Sequence, residues 1–463
     1  MTKDNSGSYT FTIDASDEVP FGWSGVLIFP ENKSESVQFN LYSNNDWSFS
    51  KPFREIGDHG KYVVHGWLNS CRPVTLLEPF YNFSGGGEWA RGFRQSTRLS
   101  GYVGDLVEGV HIDSCNTSAI SEVGFWSEAL VAIGHMQKCR TKAVVCEHDM
   151  PGAKKLLSET IVGGLGVLSF TIVYRKDEHS YEQVDRAYTR LITDNGIDIW
   201  TAQKWARFQL SFIDFLVGSS AGNFHTSVLV NVPKRDGRAV DNHLRLEVYP
   251  RKRADHPGEI SLRLKNPIAA IPQALVKAWN DDQIKLRISA INTLQTAKLG
   301  VFERFIRTIA FLEQWLRKRY PNCSEKQKRY KASVGGYSTY LKTASDEVQA
   351  FATEFASPRH PKRNSLKDLL MLAFEECRPL GLVCDEPRAK IIADRRNELA
   401  HGNEPSENDQ IQDLLLGSDI GLAVIELLTL KDLGLDPEKQ FKPRQDRYGT
   451  QNGIYELRAY GDG

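Results

Sequence analysis

DRRNELAHG, residues 394–402, closes the segment of this sequence that decides its fold. It carries Arg396 five positions before His401. Arginine keeps its positive charge at physiological pH and suits phosphate, whereas histidine is the side chain best placed to move protons near neutral pH. The two residues therefore have the chemistry needed to cleave a phosphodiester without a metal, provided that the fold brings them to one phosphate.

The residues before this stretch predict a helix over Glu386–Ala400. Asp385 can cap its start, Pro387 suits its first turn, and Gly402 can end it. Its core face is formed by Ala389, Ile392 and Leu399.

From about Pro272 onward, strand signals disappear and apolar residues recur at helical spacing. A long helix with a broad apolar face is predicted to end near Tyr320-Pro321. The further predicted helices are Tyr337–Phe355, Asn364–Cys377, Glu386–Ala400 and Asp409–Leu430. Because short connections join about five helices, we predict an all-α helical bundle.

The first part of the chain has a different pattern, in which short alternating strands are separated by turn residues. A regular rhythm of strands and crossover helices is missing, so a mostly antiparallel sandwich or barrel is predicted rather than a doubly wound sheet. The predicted strands are Tyr9–Ile13, Gly22–Phe29, Ser36–Tyr42, Lys61–Leu68, Val74–Tyr81, Thr97–Leu106 and Lys142–Cys146. Between about 154 and 265 strands and helices mix, with a dense apolar helix at Ile199–Val217.

With 463 residues, the chain is too long for one ordinary hydrophobic core. We therefore predict an α+β multidomain protein with three regions. They are a β-rich, sandwich-like N-terminal domain at 1–150, a mixed strand and helix continuation of it at 151–275, and a helical domain at 276–463.

The composition is that of a globular protein of the reduced cytosol. Lys+Arg and Asp+Glu are both 58, so the overall charge does not indicate nucleic acid. The first residues lack the apolar core of a signal peptide, and the longest apolar-rich run, 161–173, is too short to cross a bilayer. The seven cysteines include no Cys-x-x-Cys pair, which argues against a structural zinc. We expect a cytoplasmic protein without a membrane segment, a metal or a cofactor.

Charge is unevenly distributed in the helical region. Between Lys285 and Lys342 there are thirteen Lys or Arg residues and three Glu residues, and after Ala400 the balance becomes acidic. The basic segment is either an electrostatic footprint for RNA or DNA, or a solvated helix face followed by a basic loop.

The spacing of the arginine and histidine is not specific by itself. The same spacing occurs at Arg54/His59, Arg238/His243 and Arg251/His256. Only the pair Arg396/His401 lies on a predicted helix with a core face and a cap at each end. The helix context therefore carries the information that the spacing lacks.

On an ideal helix, Asn397 and His401 lie about 40° apart, so the amide can hydrogen-bond the imidazole. Arg396 lies about 140° from His401, and the two side chains therefore point in different directions. They can act together if the last turn unwinds at Gly402, or if a second copy of the helix supplies the missing group. The alternative is an ordinary helix end, where a cation favours the helix dipole and glycine is a common cap.

Residues 396–402 resemble the Arg-Asn-x-x-x-His core of HEPN domains, a superfamily of helical bundles that includes many ribonucleases. The β-rich part contains GWSGVL at 22–27, VHGWL at 64–68 and VTLL at 74–77. These segments are similar to the N-terminal domain of ApeA-like anti-phage abortive-infection proteins, which carry a C-terminal HEPN domain. The resemblance spans most of the chain.

This resemblance implies a homodimeric, metal-independent endoribonuclease toxin that acts in antiviral defence. Arg396 and His401 would be the catalytic pair and Asn397 a supporting residue. The products would be a 2′,3′-cyclic phosphate and a 5′-hydroxyl. The β-rich region would sense a phage-derived trigger, and transfer RNA is one candidate substrate.

Glu303, on the long helix, is a candidate acidic helper for this site, although a surface ion pair with Arg304 or Arg307 explains it as well. Arg304, Arg307 and Arg395 are the candidate RNA-binding residues.

A second interpretation is a catalytically inactive HEPN module that serves dimerisation and RNA or protein binding. A third, nucleotidyl transfer, would need a partner enzyme that this chain does not contain.

Overall fold

The structure is a computed structural model, and it describes the following parts of the chain: residues 7–13, 23–29, 36–43, 63–69, 72–84, 97–103, 105–112, 119–136, 144–147, 153–176, 182–217, 224–233, 239–248, 267–296, 299–321, 325–355, 364–380, 382, 384–402 and 408–435. The chain divides into two compact units, 1–288 and 289–463. The division into three regions at 150 and 275 stays a prediction.

The first unit contains an antiparallel sheet. Its described strands are β1 (Gly7–Ile13), β2 (Trp23–Phe29), β3 (Val37–Ser43), β4 (Val63–Leu68), β5 (Arg72–Leu77), β6 (Phe80–Ser84), β7 (Thr97–Val103), β8 (Asp105–Glu108), β9 (Ile120–Ser127), β10 (Val144–Glu147), β11 (Ala153–Val162), β12 (Gly166–Lys176), β13 (Glu182–Ile197), β14 (Phe224–Pro233) and β15 (Ala239–Val248). They pair in the order β10-β11-β12-β13-β9-β14-β15-β8-β5-β4-β1-β2-β3-β7-β6. The predicted antiparallel, β-rich N-terminal region is confirmed.

Seven of these strands form a row whose two ends are joined by a very short connection. Strands β8 and β7 lie at opposite ends of the row β8-β5-β4-β1-β2-β3-β7, and a flat row of that width would separate them by about 29 Å. Val103 ends β7 and Asp105 begins β8, so their Cα atoms can be no more than about 7.6 Å apart. The row must therefore curve around its own apolar side chains, and one buried cluster draws residues from all seven strands.

Two predicted strands are each divided in the structure. Val74–Tyr81 was predicted as one strand, but Glu78 has a positive φ of 45° and lies between β5 and β6. Thr97–Leu106 was also predicted as one strand, yet β7 pairs with β3 and β6 whereas β8 pairs with β5 and β15. Apolar residues occur on both sides of each change of partner, so the apolar pattern alone does not mark the two changes.

Three helices of the first unit pack against strands β9, β11, β12, β13 and β15 of the sheet. They are α1 (Glu128–Met136), α2 (Ile199–Val217) and α3 (Pro267–Asn280). Helix α2 has the bounds that the sequence predicts. It is joined to β8 by Asp105, whose fully buried carboxylate accepts two hydrogen bonds from Arg207, at 2.8 and 2.9 Å, and one from Gln203.

Helix α4 (Asp282–Thr296) contains the boundary between the units. The second unit then continues with α5 (Val301–Arg319), α6 (Glu325–Thr343), α7 (Asp346–Phe355), α8 (Leu366–Cys377), a 3-10 turn (Arg378–Leu380), α9 (Glu386–Ala400) and α10 (Asn408–Leu433). The predicted all-α C-terminal region is confirmed. The single predicted helix Tyr337–Phe355 is wrong in one respect. The helix is interrupted at Ala344-Ser345, and the segment belongs to two helices, α6 and α7.

Helices α5 and α10 approach each other closely. The contact face of α5 is buried and contains Phe305, Ile309, Leu312 and Leu316. A Cβ added at Gly417 of α10 would lie 2.6 Å from the Phe305 ring and 3.4 Å from Ile392 of α9. Gly417 therefore lies where three helices meet, and the absence of a side chain sets their separation.

A second set of contacts holds the end of α5. Arg319 donates to Glu376 of α8 and to both carboxylate oxygens of Asp432 of α10. Tyr320 and Lys431 also donate to Glu376, at 2.6 and 3.0 Å. These donors, with Arg319 contributing most, lower the pKa of Glu376 to about 2.

We predict that Gly417→Ala destabilises the helical unit. The methyl group would meet the fully buried Phe305 ring, and overpacking of this kind costs about 1–3 kcal/mol, which exceeds the gain in helix propensity of about 1 kcal/mol. Gly335→Ala in α6 is the matched control, because an added Cβ there meets nothing within 4 Å. Thermal unfolding should show a lower Tm for Gly417→Ala only. Equal Tm values for both variants would contradict this packing.

We also predict that Glu376 makes the protein sensitive to acid. Its folded pKa lies below its ordinary value of 4.5, so its contribution to stability is present above pH 4.5 and is lost as the pH falls towards 2. Glu376→Gln should therefore be less stable than wild type at pH 7, with a smaller difference at pH 3. Denaturant unfolding measures both, and Glu375→Gln, an exposed neighbour, is the control. A difference that does not change with pH would disprove the assignment.

Candidate functional site

Helix α9 has the ends that the sequence predicts. The carboxylate of Asp385 accepts a hydrogen bond from the backbone N–H of Arg388 at 3.2 Å, so Asp385 is the N-cap. At the other end, Gly402 has a φ of 79° and donates its N–H to the carbonyl of Leu399 at 3.1 Å. His401 is the C-cap residue, and it is therefore held by the helix end through its backbone.

One face of α9 is buried in the bundle. Ala389 and Ile392 lie in the core as predicted, and Ala393 joins them. Leu399 was predicted to share this face but is only half-buried, because the helix leaves the core in its last turn. Residues 396–401 therefore lie at the edge of the bundle.

Arg396 is held by α5. Its Nη2 lies 3.0 Å from Oε2 of Glu313, and its Nη1 donates to Oδ1 of Asn397 at 3.3 Å. The Glu313 side chain is only 12% exposed, whereas that of Arg396 is 41% exposed. The guanidinium is thus fixed on one side by a nearly buried carboxylate and open to solvent on the other.

His401 and Asn397 are both exposed. The side-chain oxygen of Asn397 accepts from Arg396, so the amide orients the arginine in this structure and not the imidazole. The structure brings Arg396 and Asn397 together and places His401 one turn further, at the end of the same helix. The catalytic roles of these residues stay predictions.

Arg395 differs sharply from its neighbour. Its guanidinium donates to Asp413 of α10 at 2.8 and 2.9 Å and to Glu398 at 2.7 Å. These hydrogen bonds, that to Glu398 first, raise the pKa of Arg395 above its ordinary value. Arg395 therefore joins α9 to α10, and this pairing competes with its predicted role in RNA binding.

The other candidates lie near the start of α5. Arg304 pairs with Asp419 of α10 at 3.1 Å, and burial of that carboxyl raises its pKa to about 6 although the cation opposes the shift. Glu303 pairs with Arg307 one turn away, and both side chains are about half exposed. The structure therefore contains the surface ion pair that was the alternative explanation of Glu303. Arg307 is the most exposed of the three candidate RNA-binding arginines.

Glu313 is the residue that sequence reasoning missed. On the α5 wheel it lies about 40° from Ile309 and 60° from Leu316, both of which are core residues. A carboxylate beside the core face of an amphipathic helix needs a cationic partner, because an unpaired buried charge is costly. The position of Glu313 beside the core face was therefore the sign in the sequence that it has a cationic partner. Arg317, one turn later on α5, is the nearest such partner in sequence.

Among the described residues, no group of three or more His, Cys, Asp or Glu side chains is arranged to hold a metal ion. The described helices also include none that is long and apolar enough to span a membrane.

Residues 306–439, which run from the second turn of α5 past the end of α10, match the model of the Apea-like HEPN family. No curated protein and no solved structure matches the chain. The resemblance to ApeA-like HEPN proteins is thereby confirmed for the helical region, which contains Arg396 and His401.

We predict that the adjacent arginines of α9 differ in their effect on stability. Arg395→Ala removes three hydrogen bonds to two carboxylates and should lower the free energy of unfolding by about 1 kcal/mol or more. Arg396→Ala should change it less, because Glu313 keeps its ion pair with Arg317. Denaturant unfolding of the two variants gives the comparison, and the reverse order would show that the ion pairs are wrongly assigned.

Proposed function

Since its helical region matches the Apea-like HEPN family, we propose that this protein is an endoribonuclease that defends a bacterium against phage by abortive infection. The observation that carries the proposal is the Arg396 guanidinium, which is fixed by Glu313 and Asn397 and exposed at the helix end that carries His401. A fixed cation and an exposed imidazole, if brought to one phosphate, suit cleavage of a phosphodiester.

The proposed reaction is an internal transesterification of RNA. The imidazole of His401 takes the proton of a ribose 2′-hydroxyl, and the 2′-oxygen attacks the adjacent phosphorus. The bond from phosphorus to the 5′-oxygen then breaks, and that oxygen receives a proton from an imidazolium. Arg396 stabilises the negative charge that develops on the phosphate oxygens. The products are a 2′,3′-cyclic phosphate and a 5′-hydroxyl.

This scheme favours a homodimer through the HEPN domain. On an ideal helix Arg396 and His401 would lie about 140° apart, so one copy of the helix is expected to present them in different directions. Two copies related by a two-fold axis would place two arginines and two histidines at one phosphate. One histidine would then act as the base and the other as the acid.

The proposed partners are RNA, with transfer RNA as one candidate, and a phage-derived trigger sensed by the β-rich unit. The proposed site of action is the cytoplasm. A resting state is required, because an RNase that is always active would kill its own host.

The second candidate function is a catalytically inactive HEPN module for dimerisation and for RNA or protein binding. The ion pair of Arg396 with Glu313 favours it, because this contact would also hold α9 against α5 in a protein without activity.

We predict that His401→Ala and Arg396→Ala each abolish toxicity and lower RNA cleavage by about 100-fold or more while the protein still folds. General acid–base groups such as His401 and electrostatic stabilisers such as Arg396 both contribute factors of this size. Sequencing of RNA ends from cells that express each variant identifies the cleavage products. Lys390→Ala is the matched control, because Lys390 is an exposed cation on the same helix.

Full RNA cleavage by purified His401→Ala would reject the proposal that the protein is an endoribonuclease with His401 as its catalytic histidine. Retained RNA binding without products from wild type, whatever trigger is supplied, would favour the inactive module.

A further inference from the structure

Glu313 forms ion pairs with two arginines. Its Oε1 lies 2.5 Å from Nη2 of Arg317, one turn further along α5, and its Oε2 lies 3.0 Å from Nη2 of Arg396 on α9. Arg317 is anchored in turn, because its Nη1 donates to the backbone carbonyl of Asn364 at 3.1 Å. The contacts form a chain from the segment before α8, through α5, to the end of α9.

The charges of Arg317, Glu313 and Arg396 do not cancel one another. Two guanidinium groups and one carboxylate leave one net positive charge, and Glu313 is nearly buried between its partners. If Glu313 had only Arg396 as a partner, the pair would be neutral and would attract a phosphate weakly. With Arg317 already satisfying the carboxylate, Arg396 is held in place and its charge is still available on the exposed side.

We propose that Glu313 is a positioning residue for Arg396 and that Arg317 keeps the charge of Arg396 available to a substrate phosphate. This inference rests on the proposed function. A guanidinium binds phosphate through a planar fork, so its orientation decides whether two parallel hydrogen bonds can form. Fixing that plane before the reaction avoids the entropy cost of ordering a long side chain in the transition state.

Glu303 does not fit this role. It pairs with Arg307 on the same helix, and at 48% exposure for Glu303 and 57% for Arg307 the pair is solvated. A solvated pair of this kind contributes little and fixes neither side chain. Glu313 differs because its carboxylate is shielded and connects two helices.

The two substitutions that test the proposal have different expected effects. Glu313→Gln removes a negative charge beside the phosphate site, so RNA binding should be unchanged or tighter. Cleavage should nevertheless be slower, because Arg396 is no longer oriented. Arg317→Gln leaves the carboxylate to neutralise Arg396 alone, so RNA binding should weaken. A purely structural role would lower binding, cleavage and stability together.

The experiment uses the purified full chain and a 5′-labelled, mixed-sequence RNA oligonucleotide. Single-turnover cleavage, the Kd for RNA and the Tm are measured for wild type, Glu313→Gln, Arg317→Gln and His401→Ala. Glu375→Gln, an exposed carboxylate on α8, is the matched control. We expect Glu313→Gln to cleave about tenfold or more slowly, which is the effect of losing a preorganised electrostatic contact, with a Kd no weaker than that of wild type. Arg317→Gln should weaken the Kd several-fold.

The outcomes separate the two proposals. If wild type cleaves, His401→Ala does not, and Glu313→Gln cleaves like wild type, the role of Glu313 is rejected and the RNase stands. If His401→Ala cleaves like wild type, the proposed function itself is rejected. An unchanged Kd for Arg317→Gln rejects the charge argument, and that measurement remains decisive if Glu313→Gln fails to fold or if wild type cleaves nothing.

Discussion

The close approach of α5 and α10 at Gly417 is the constraint on which the rest of the helical unit depends. The ring of Phe305 occupies the space that a side chain at position 417 would need, and Ile392 lies within contact distance of it. Because α5, α9 and α10 meet at this point, their relative positions are fixed by packing of rigid side chains, which tolerate little displacement. The contact between Glu313 and Arg396 follows from that placement, since neither residue is near the other in sequence.

Electrostatics along α5 explain why the excess of basic residues in the sequence does not become an equal excess of surface charge. Arg304, Arg317 and Arg319 each pair with a carboxylate, and Asp419, Glu376 and Asp432 come from other helices. Such partly buried pairs join helices and fix their register more than they add free energy. The two explanations of the basic segment, an RNA-binding surface or a solvated helix face, were therefore incomplete. Several of its cations instead form ion pairs between helices of the bundle.

Three segments of the β-rich unit, at 22–27, 64–68 and 74–77, contribute to its core. Trp23, Leu27, Val64, Leu68 and Val74 belong to these segments, and all five lie in the cluster around which the seven strands curve. A Cβ at Gly66, between two of them, would lie 2.3 Å from the Phe11 ring. These segments are therefore requirements of packing.

The sequence by itself determined the class of each unit and the ends of α9, because strand alternation, helical periodicity and caps are local properties of a few neighbouring residues. Asp385 and Gly402 are recognisable at α9 for that reason, and the resemblance at residues 396–402 is equally local. Only the tertiary structure decided which strands are neighbours, that β7 and β8 belong to opposite ends of a row, and which charges meet. Glu303 and Glu313 are both glutamates beside arginines on one helix, and they differ only in burial and in what another helix brings to them. Adjacent Arg395 and Arg396 likewise differ in exposure and in the carboxylates they reach, since about 100° of helix rotation turns one towards α10 and the other towards α5.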